Sequence, residues 1–489
     1  MSNISLSRAT LRQLPPRLLR PSYDVENVRA GIVHLGLGAF HRAHMARYTH
    51  DLMERKAAAC EWGILGAGLR NSDLRTCQAL LPQDCLYTLV ERQGEQVIAT
   101  VIGSLCGMIY AAESSASLLA AIDDPAIRII SLTVTENGYC LNPATKCLDP
   151  GHPAIVHDLS NPHLPQSPIG IIVEACRRRR AAGSDAFTVL SCDNIPHNGV
   201  VLHDAVQVLA QLSDPALAEW IETNTSFPST MVDRITPIST AVDVAALART
   251  YGIADRCAVF SEIFRQWVIE DRFVSGRPEW EAVDVQFVRD VLPYELMKLR
   301  LLNASHLAIA GLGQLAGYTY VDETMRDPIF HKYMVVLMDS EAGPTLPPVP
   351  GVNLARYKRE VSDRFANPRI KDTLQRINTD ASVNLLLDPI RDRLKADASC
   401  KLLALALAAW VRRVRGFDDA GRELKIDHPN AALLRSTALR GGDDPRAVLE
   451  LRFLFGDLIL HEAFVATLHD WFRKLATAGA RATLAMALE

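Results

Sequence analysis

Between Tyr294 and His306 the chain reads YELMKLRLLNASH, a stretch dense in groups that could move a proton or hold an oxygen anion. A lysine or a tyrosine serves as general base once its pKa is brought toward neutrality, and an asparagine amide can donate to a developing alkoxide. On a regular α-helix, at ~100° and ~1.5 Å per residue, Lys298, His306 and Asn303 fall at about 0°, 80° and 140° and span ~12 Å. They share one broad face. Helical side chains lean toward the N-terminus, so Asn303 and His306 tilt back toward Lys298, and one small polar substrate could touch all three. Without a substrate to bind, Lys298 would be solvated and His306 a satisfied core residue.

A second chemical signal lies in GIVHLGLGAFHRAHMARYTHDLM, a strand, a tight turn and a helix. Gly36 and Gly38 would let a pyrophosphate approach the amides at the helix start, as dinucleotide-binding folds require. His41 stands where the third glycine of GxGxxG would be, and a GxG turn can also be mere tight packing. The second strand, in EWGILGAGLRNSD, is followed by Asp73, a carboxylate that could accept from both ribose hydroxyls of NAD. Asp73 lies 35 residues beyond Gly38, farther than the usual ~20, and Arg70 beside it leaves room for the 2′-phosphate of NADP.

The elements that must position these groups are legible as two patterns. From about residue 31 to 280 short β-rich runs (GIVHLGLG, EWGILGAG, CLYTLVER, VIATVIGSL, IRIISLTVT, FTVLSCD, CAVFSEI) alternate with helical stretches. That predicts an α/β domain with a mostly parallel sheet covered on both faces. Beyond about 290 helical periodicity takes over, at 294–316, 329–339, 353–366, 368–378, 396–414 and 461–485, so the second domain is expected to be all α. Domain limits of 1–289 and 290–489 follow, in line with 489 residues exceeding what one core usually holds. The Pro-rich EAGPTLPPVPG reads as a stiff connector between helices, and RRRR at 177–180 as the solvated last turn of a helix.

Composition removes several classes of function. Charged residues are 22% and the net charge −4, which gives no basic surface for nucleic acid. The longest apolar run, Leu402 to Val411, is about half of a membrane span and reads as a buried helix. The N-terminus lacks an apolar signal region, so the expected compartment is the cytoplasm. The ten cysteines are scattered without paired spacing, and no Cys/His set, His41 and His44 included, has zinc-ligand spacing, so no metal is expected.

The ordered segments HLGLGAFHRAH, QDCLYTLVER, SLTVTENGYC, FTVLSCDNIPHNG, FPSTMVDRITP, QWVIEDRFVSGRPEWE and MKLRLLNASH resemble the polyol-specific long-chain dehydrogenases, the mannitol 2-dehydrogenase and fructuronate reductase family, across nearly the whole chain. The resemblance implies a Rossmann-like N-terminal domain, a helical C-terminal domain, NAD without metal, and a small polyol or ketose as the partner of a monomer or else a homodimer. It implies that Lys298 is the base, that Asn194 and Asn303 bond the reacting oxygen, that His306 orients the substrate and that Glu295 lies on the proton path. It also implies cofactor contacts at Phe40, His41, Arg42, Val134 and Thr135, and substrate contacts at Val232, Asp233 and Arg376. Two departures stand out. Asp380-Ala-Ser-Val-Asn384 lacks the lysine of close mannitol dehydrogenases, and Ser72 replaces one acid of the pair after the second strand.

Mannitol oxidation with NAD is the expected reaction, with a fructuronate-type reductase and an arabinitol or sorbitol dehydrogenase as alternatives. Tyr294-x-x-x-Lys298 is also the base spacing of short-chain dehydrogenases, but there it sits inside the dinucleotide domain rather than at the head of a helical one. A silent dinucleotide-binding sensor would keep the glycine turn without needing Lys298, Asn194, Asn303 and His306 together. For Lys298 to act, its pKa must fall from ~10.4 to about 7.5–8, a shift worth ~3–4 kcal/mol and within reach of desolvation beside a cation. Asn194, at a strand end, and Asn303, on the helical domain, then make an interdomain cleft the expected reaction centre.

Overall fold

Five short strands, apolar on both faces, make the sheet on which the first half of the chain is built: β1 (Ala30–Leu35), β2 (Gly63–Gly68), β3 (Leu105–Tyr110), β4 (Ile129–Leu132) and β5 (Thr188–Ser191). The computed structural model describes residues 3–142 and 145–489, divided into two units, Met1–Leu292 and Pro293–Glu489. In the first unit the strand order is β3-β2-β1-β4-β5 and every pairing is parallel. Successive side chains alternate faces. Ile32, Ile129 and Leu190 therefore join one core cluster, while Val33, Ile130 and Val189 join the other, which is why these runs are apolar throughout. The order reverses between β1 and β4, and the loops leaving their carboxyl ends diverge there, the position at which such sheets take ligands.

The first unit departs from the sequence pattern in two places. VIATVIGSL is not one strand: residues Gln96–Ile102 pair antiparallel with Tyr87–Gln93 in a separate sheet, and the chain turns before starting β3. Gly103 marks the corner, where a Cβ would sit 2.9 Å from the Val25 side chain. A third sheet, unread from the sequence, pairs β6 (Thr230–Asp233) antiparallel with Gln266–Glu270. It is stitched to β5 through Asn198, whose side-chain amide donates to the carbonyls of Asp193 and Thr230, each at 2.9 Å.

The arginine run also differs from expectation. Arg177 and Arg178 bind Glu174 within their helix, but Arg179 is buried. Its guanidinium donates to the carbonyls of Ile122, Asp124 and Ile127 at 2.9, 2.7 and 2.8 Å. It is a fold anchor rather than a solvated cation.

The second unit is helical, with two isolated bridges, Tyr320 with Thr373 and Phe417 with Glu423, among its described residues. Its axis is α3 (Ala304–Leu315), in which every residue is buried, as expected for a helix apolar all round. Packed on it are α4 (Leu374–Asp380) and α5 (Lys401–Arg413). The latter holds the apolar run read as a buried helix, and the Glu341 carboxylate caps it by accepting the Leu402 and Leu403 amides at 2.9 and 2.8 Å. The helix at Asn384–Lys395 was hidden by Pro389 in its interior.

The predicted helix 294–316 is present, but it is not regular. After an α-helical turn, Leu292–Met297, residues Lys298–Asn303 form a π-helical turn before α3 begins.

Candidate active site

In the first unit, the turn after β1 is forced by packing. Gly36 has φ +89°, and a Cβ there would lie 2.3 Å from the Thr133 carbonyl oxygen at the end of β4. Gly38 is open: the nearest atom to an added Cβ is the Gly36 carbonyl at 4.0 Å, so a ligand's phosphates could approach this backbone closely. The helix that follows is short. α1 (Ala39–Ala43) breaks at His44 (φ −115°, ψ −91°) before α2 (Met45–Arg55) resumes, so an anion here would meet free amides more than a long helix dipole.

Three buried histidines support this turn. The His34 ring bonds Ser131 Oγ at 2.8 Å and Thr133 Oγ1 at 2.9 Å, and Thr133 Oγ1 donates to the Gly36 carbonyl at 2.8 Å. His41 stacks on His34 with ring centroids 3.4 Å apart. It is 1% exposed, and neither of its ring nitrogens has a hydrogen-bond partner. His44 stacks with Phe40 and bonds the Gln266 carbonyl at 2.9 Å. Burial drives all three below the usual histidine range, His34 and His44 to about 3, so the turn rests on neutral rings. Arg42 points inward, to the carbonyls of Gly38 and Cys257 and across the Tyr87 ring.

Asp73 follows β2 as expected, with its carboxylate already ordered. Oδ2 accepts the Leu69 and Arg70 amides at 3.0 and 3.1 Å. Oδ1 meets the Arg70 guanidinium and the Ser72 hydroxyl, each at 3.3 Å, and these two exposed groups are ones a ribose could displace. An open glycine turn, an orphaned buried imidazole beneath it and an acid at the next strand end fit a dinucleotide.

The loops after β4 and β5 carry Val134, Thr135 and Asn194. The amides of Val134 and Thr135 donate to the Asp193 carboxylate at 3.1 and 2.8 Å, so toward a ligand these two residues offer side chains and carbonyls. Asn194 is exposed. Val232 lies in the hydrophobic core beside its strand partner Trp267, and Asp233 is buried at the end of β6.

In the second unit, the π turn rearranges the helical wheel. Its i→i+5 bonding inserts one residue per turn, so Asn303 takes the angular place of i+4, ~40° from Lys298, and His306 that of i+7, ~20° to the other side. A regular helix would have left Asn303 at ~140°. Lys298 and His306 are each 8% exposed, and Glu295, three residues before Lys298, shares the same side of the preceding α-helical turn. Tyr294 is placed otherwise: its hydroxyl donates to the Pro350 carbonyl at 2.7 Å, and burial pushes its pKa up, away from a base at neutral pH.

Two residues that sequence reasoning missed hold His306 and Arg376. The His306 ring stacks on Phe365 at 4.2 Å, with Nε2 4.0 Å from Asp372 Oδ2. Asp372 also accepts Arg376 Nε at 2.7 Å, and Asp380 accepts Arg376 Nη1 at 3.1 Å. The i, i+4 spacing of residues 372, 376 and 380 was a readable signal of ion pairs. Among the described residues no cluster of His, Cys, Asp or Glu could hold a metal ion, and no helix is long and apolar enough to cross a membrane.

Known proteins resemble this chain over nearly its whole length. The mannitol dehydrogenase 2 of Saccharomyces cerevisiae is 43% identical over 95% of this chain and 93% of its own. The D-mannonate oxidoreductase of Escherichia coli is 42% identical over 95% of this chain and 97% of its own. The structure of Pseudomonas fluorescens mannitol 2-dehydrogenase, a ternary complex with NAD and D-mannitol, superposes with a TM-score of 0.90 at 40% identity, covering 99% of both chains. The mannitol dehydrogenase Rossmann domain matches residues 30–282 and the mannitol dehydrogenase C-terminal domain residues 290–476: the chain belongs to the mannitol dehydrogenase family.

Proposed function

We propose that this chain is a metal-independent, NAD-dependent polyol dehydrogenase that interconverts D-mannitol and D-fructose in the cytoplasm as a monomer. The observation that carries this reading is the π turn, which puts Lys298, Asn303 and His306 on one stripe with Lys298 buried. Lys298 Nζ, neutral when desolvated, takes the hydroxyl proton of the polyol. The amides of Asn303 and Asn194 donate to the oxygen as charge develops on it, each worth ~2.7–4 kcal/mol in comparable sites. His306, fixed by Phe365 and Asp372, orients the substrate, Glu295 passes the proton onward, and Asp233 and Arg376 contact the remaining hydroxyls. NAD held by the Gly36–Gly38 turn, by Asp73 and by the loop at Val134 and Thr135 supplies the acceptor for the carbon-bound hydrogen.

Charge balance favours a neutral substrate over the uronates and aldonates of related enzymes. Arg376 is already matched by Asp372 and Asp380, and Asn384 adds no cation, so a substrate carboxylate would find an acidic neighbourhood. The test is a panel of mannitol, arabinitol, sorbitol and xylitol with NAD, and of fructose and fructuronate with NADH. We expect the highest kcat/KM for mannitol and fructose; a higher value for fructuronate than for fructose would overturn this choice of substrate.

A further inference from the structure

The Asp193 carboxylate has no part in the chemistry above, yet it is buried where the loops after β4 and β5 meet. Oδ1 accepts the Thr135 amide at 2.8 Å; Oδ2 accepts the Val134 amide at 3.1 Å and the Tyr139 hydroxyl at 3.0 Å. Tyr139 Oη is in turn 2.6 Å from Ser191 Oγ at the end of β5. Every partner of the carboxylate is a donor, an arrangement suited to its charged form. Burial holds its pKa above the usual carboxylate range, against the opposing pull of these three donors.

The amide held most closely belongs to a strained residue. Thr135 has φ +63° and ψ 169°, a region L-residues rarely occupy and β-branched ones least of all. Such a conformation persists only where its surroundings over-determine it, and it gathers at functional sites. Thr135 follows β4 at the point where the strand order reverses, and Asn194 is the residue directly after Asp193.

We propose that Asp193 is a positioning residue: by fixing Thr135 in its strained conformation it sets the β4 loop that meets the cofactor and the asparagine that meets the substrate oxygen. This rests on the proposed function. A carboxylate that merely stabilised the fold would affect melting without depending on the conformation of residue 135.

The test is a double-mutant cycle in the full-length enzyme. In Asp193→Asn one acceptor oxygen becomes a donor, so a backbone amide loses its partner, and mannitol kcat/KM should fall roughly 10- to 100-fold with weaker NADH binding in a fluorescence titration. Glycine takes φ +63° without steric cost, so in a Thr135→Gly background the same Asp193→Asn change should cost less than about threefold. Equal costs in both backgrounds would overturn the proposal. So would an Asp193→Asn protein that melts lower but keeps wild-type kcat/KM and NADH affinity. If Asp193→Asn does not fold, Tyr139→Phe removes one donor only. It should lower kcat/KM several-fold in a manner Thr135→Gly again suppresses, and no such suppression counts against us. A wild-type protein that binds NADH but oxidises no polyol would instead break the functional reading, leaving the NADH titrations to decide the loop.

Discussion

Lys298 and Tyr294 are four residues apart in a sequence that allows either to be the base, and their surroundings separate them. Tyr294 is tied to a carbonyl and Lys298 is buried on the π turn. Lys298→Ala should therefore reduce kcat for mannitol by roughly 10²–10⁴-fold, the usual share of a general base, while Tyr294→Phe costs little. Stopped-flow turnover of both variants checks this, and a dead Tyr294→Phe enzyme would transfer the role. At Arg376 the prediction concerns charge: Asp380→Asn frees one side of the guanidinium and should raise the fructuronate-to-fructose ratio of kcat/KM, several-fold by the usual worth of a partly exposed pair. An unchanged ratio would mean that Arg376 does not face the end of the substrate that carries the carboxylate. Lys298, Asn303 and His306, with Gly36, Gly38 and Asp73, could be singled out in the sequence by their types and spacing, whereas Asn194, Glu295, Asp233 and Arg376 came only from the family resemblance. Asp193 and Phe365 could not be read at all, since each acts through another side chain or loop and nothing local marks that partnership.

At the scale of elements, the π turn sets the candidate site more than any single residue does. KLRLLN contains no breaker, and a regular helix suits it equally well by propensity; the extra residue is admitted because both flanks are held by packing, α3 being buried along its whole length. Periodicity could therefore locate the helix but not its register. Deleting Leu299 should restore a regular helix in which Asn303 still stands at i+4, ~40° from Lys298, so the stripe and turnover survive while circular dichroism stays near native. A folded deletion variant without turnover would show that the stripe alone does not make the site. The parallel strands were legible because a sheet covered on both sides leaves continuous apolar runs. β3 was obscured by merging with the strand before it, and β6, Thr230-Met-Val-Asp233, lacks a continuous apolar run.

For the molecule as a whole, the neutral histidines beneath the glycine turn link stability to pH. His34 and His44, and His50 behind Tyr23, sit at about 3 chiefly through burial, below the ~6.5 of an unfolded chain. Above pH ~6.5 neither state binds these protons; as pH falls from there toward 3 only the unfolded chain does, so stability is lost through that window at up to ~1.4 kcal/mol per pH unit for each histidine. Calorimetry should show the first unit's melting temperature dropping steeply between pH 6.5 and 4.5, less so in His50→Gln, and a flat profile would contradict the burial of these rings. The same turn has a consequence for biosynthesis. Arg42 and His44 fasten to the carbonyls of Cys257 and Gln266, which leave the ribosome long after the turn itself. At about 5–20 residues per second the nascent nucleotide turn waits ~10–45 s for its anchors, and it cannot set before they arrive.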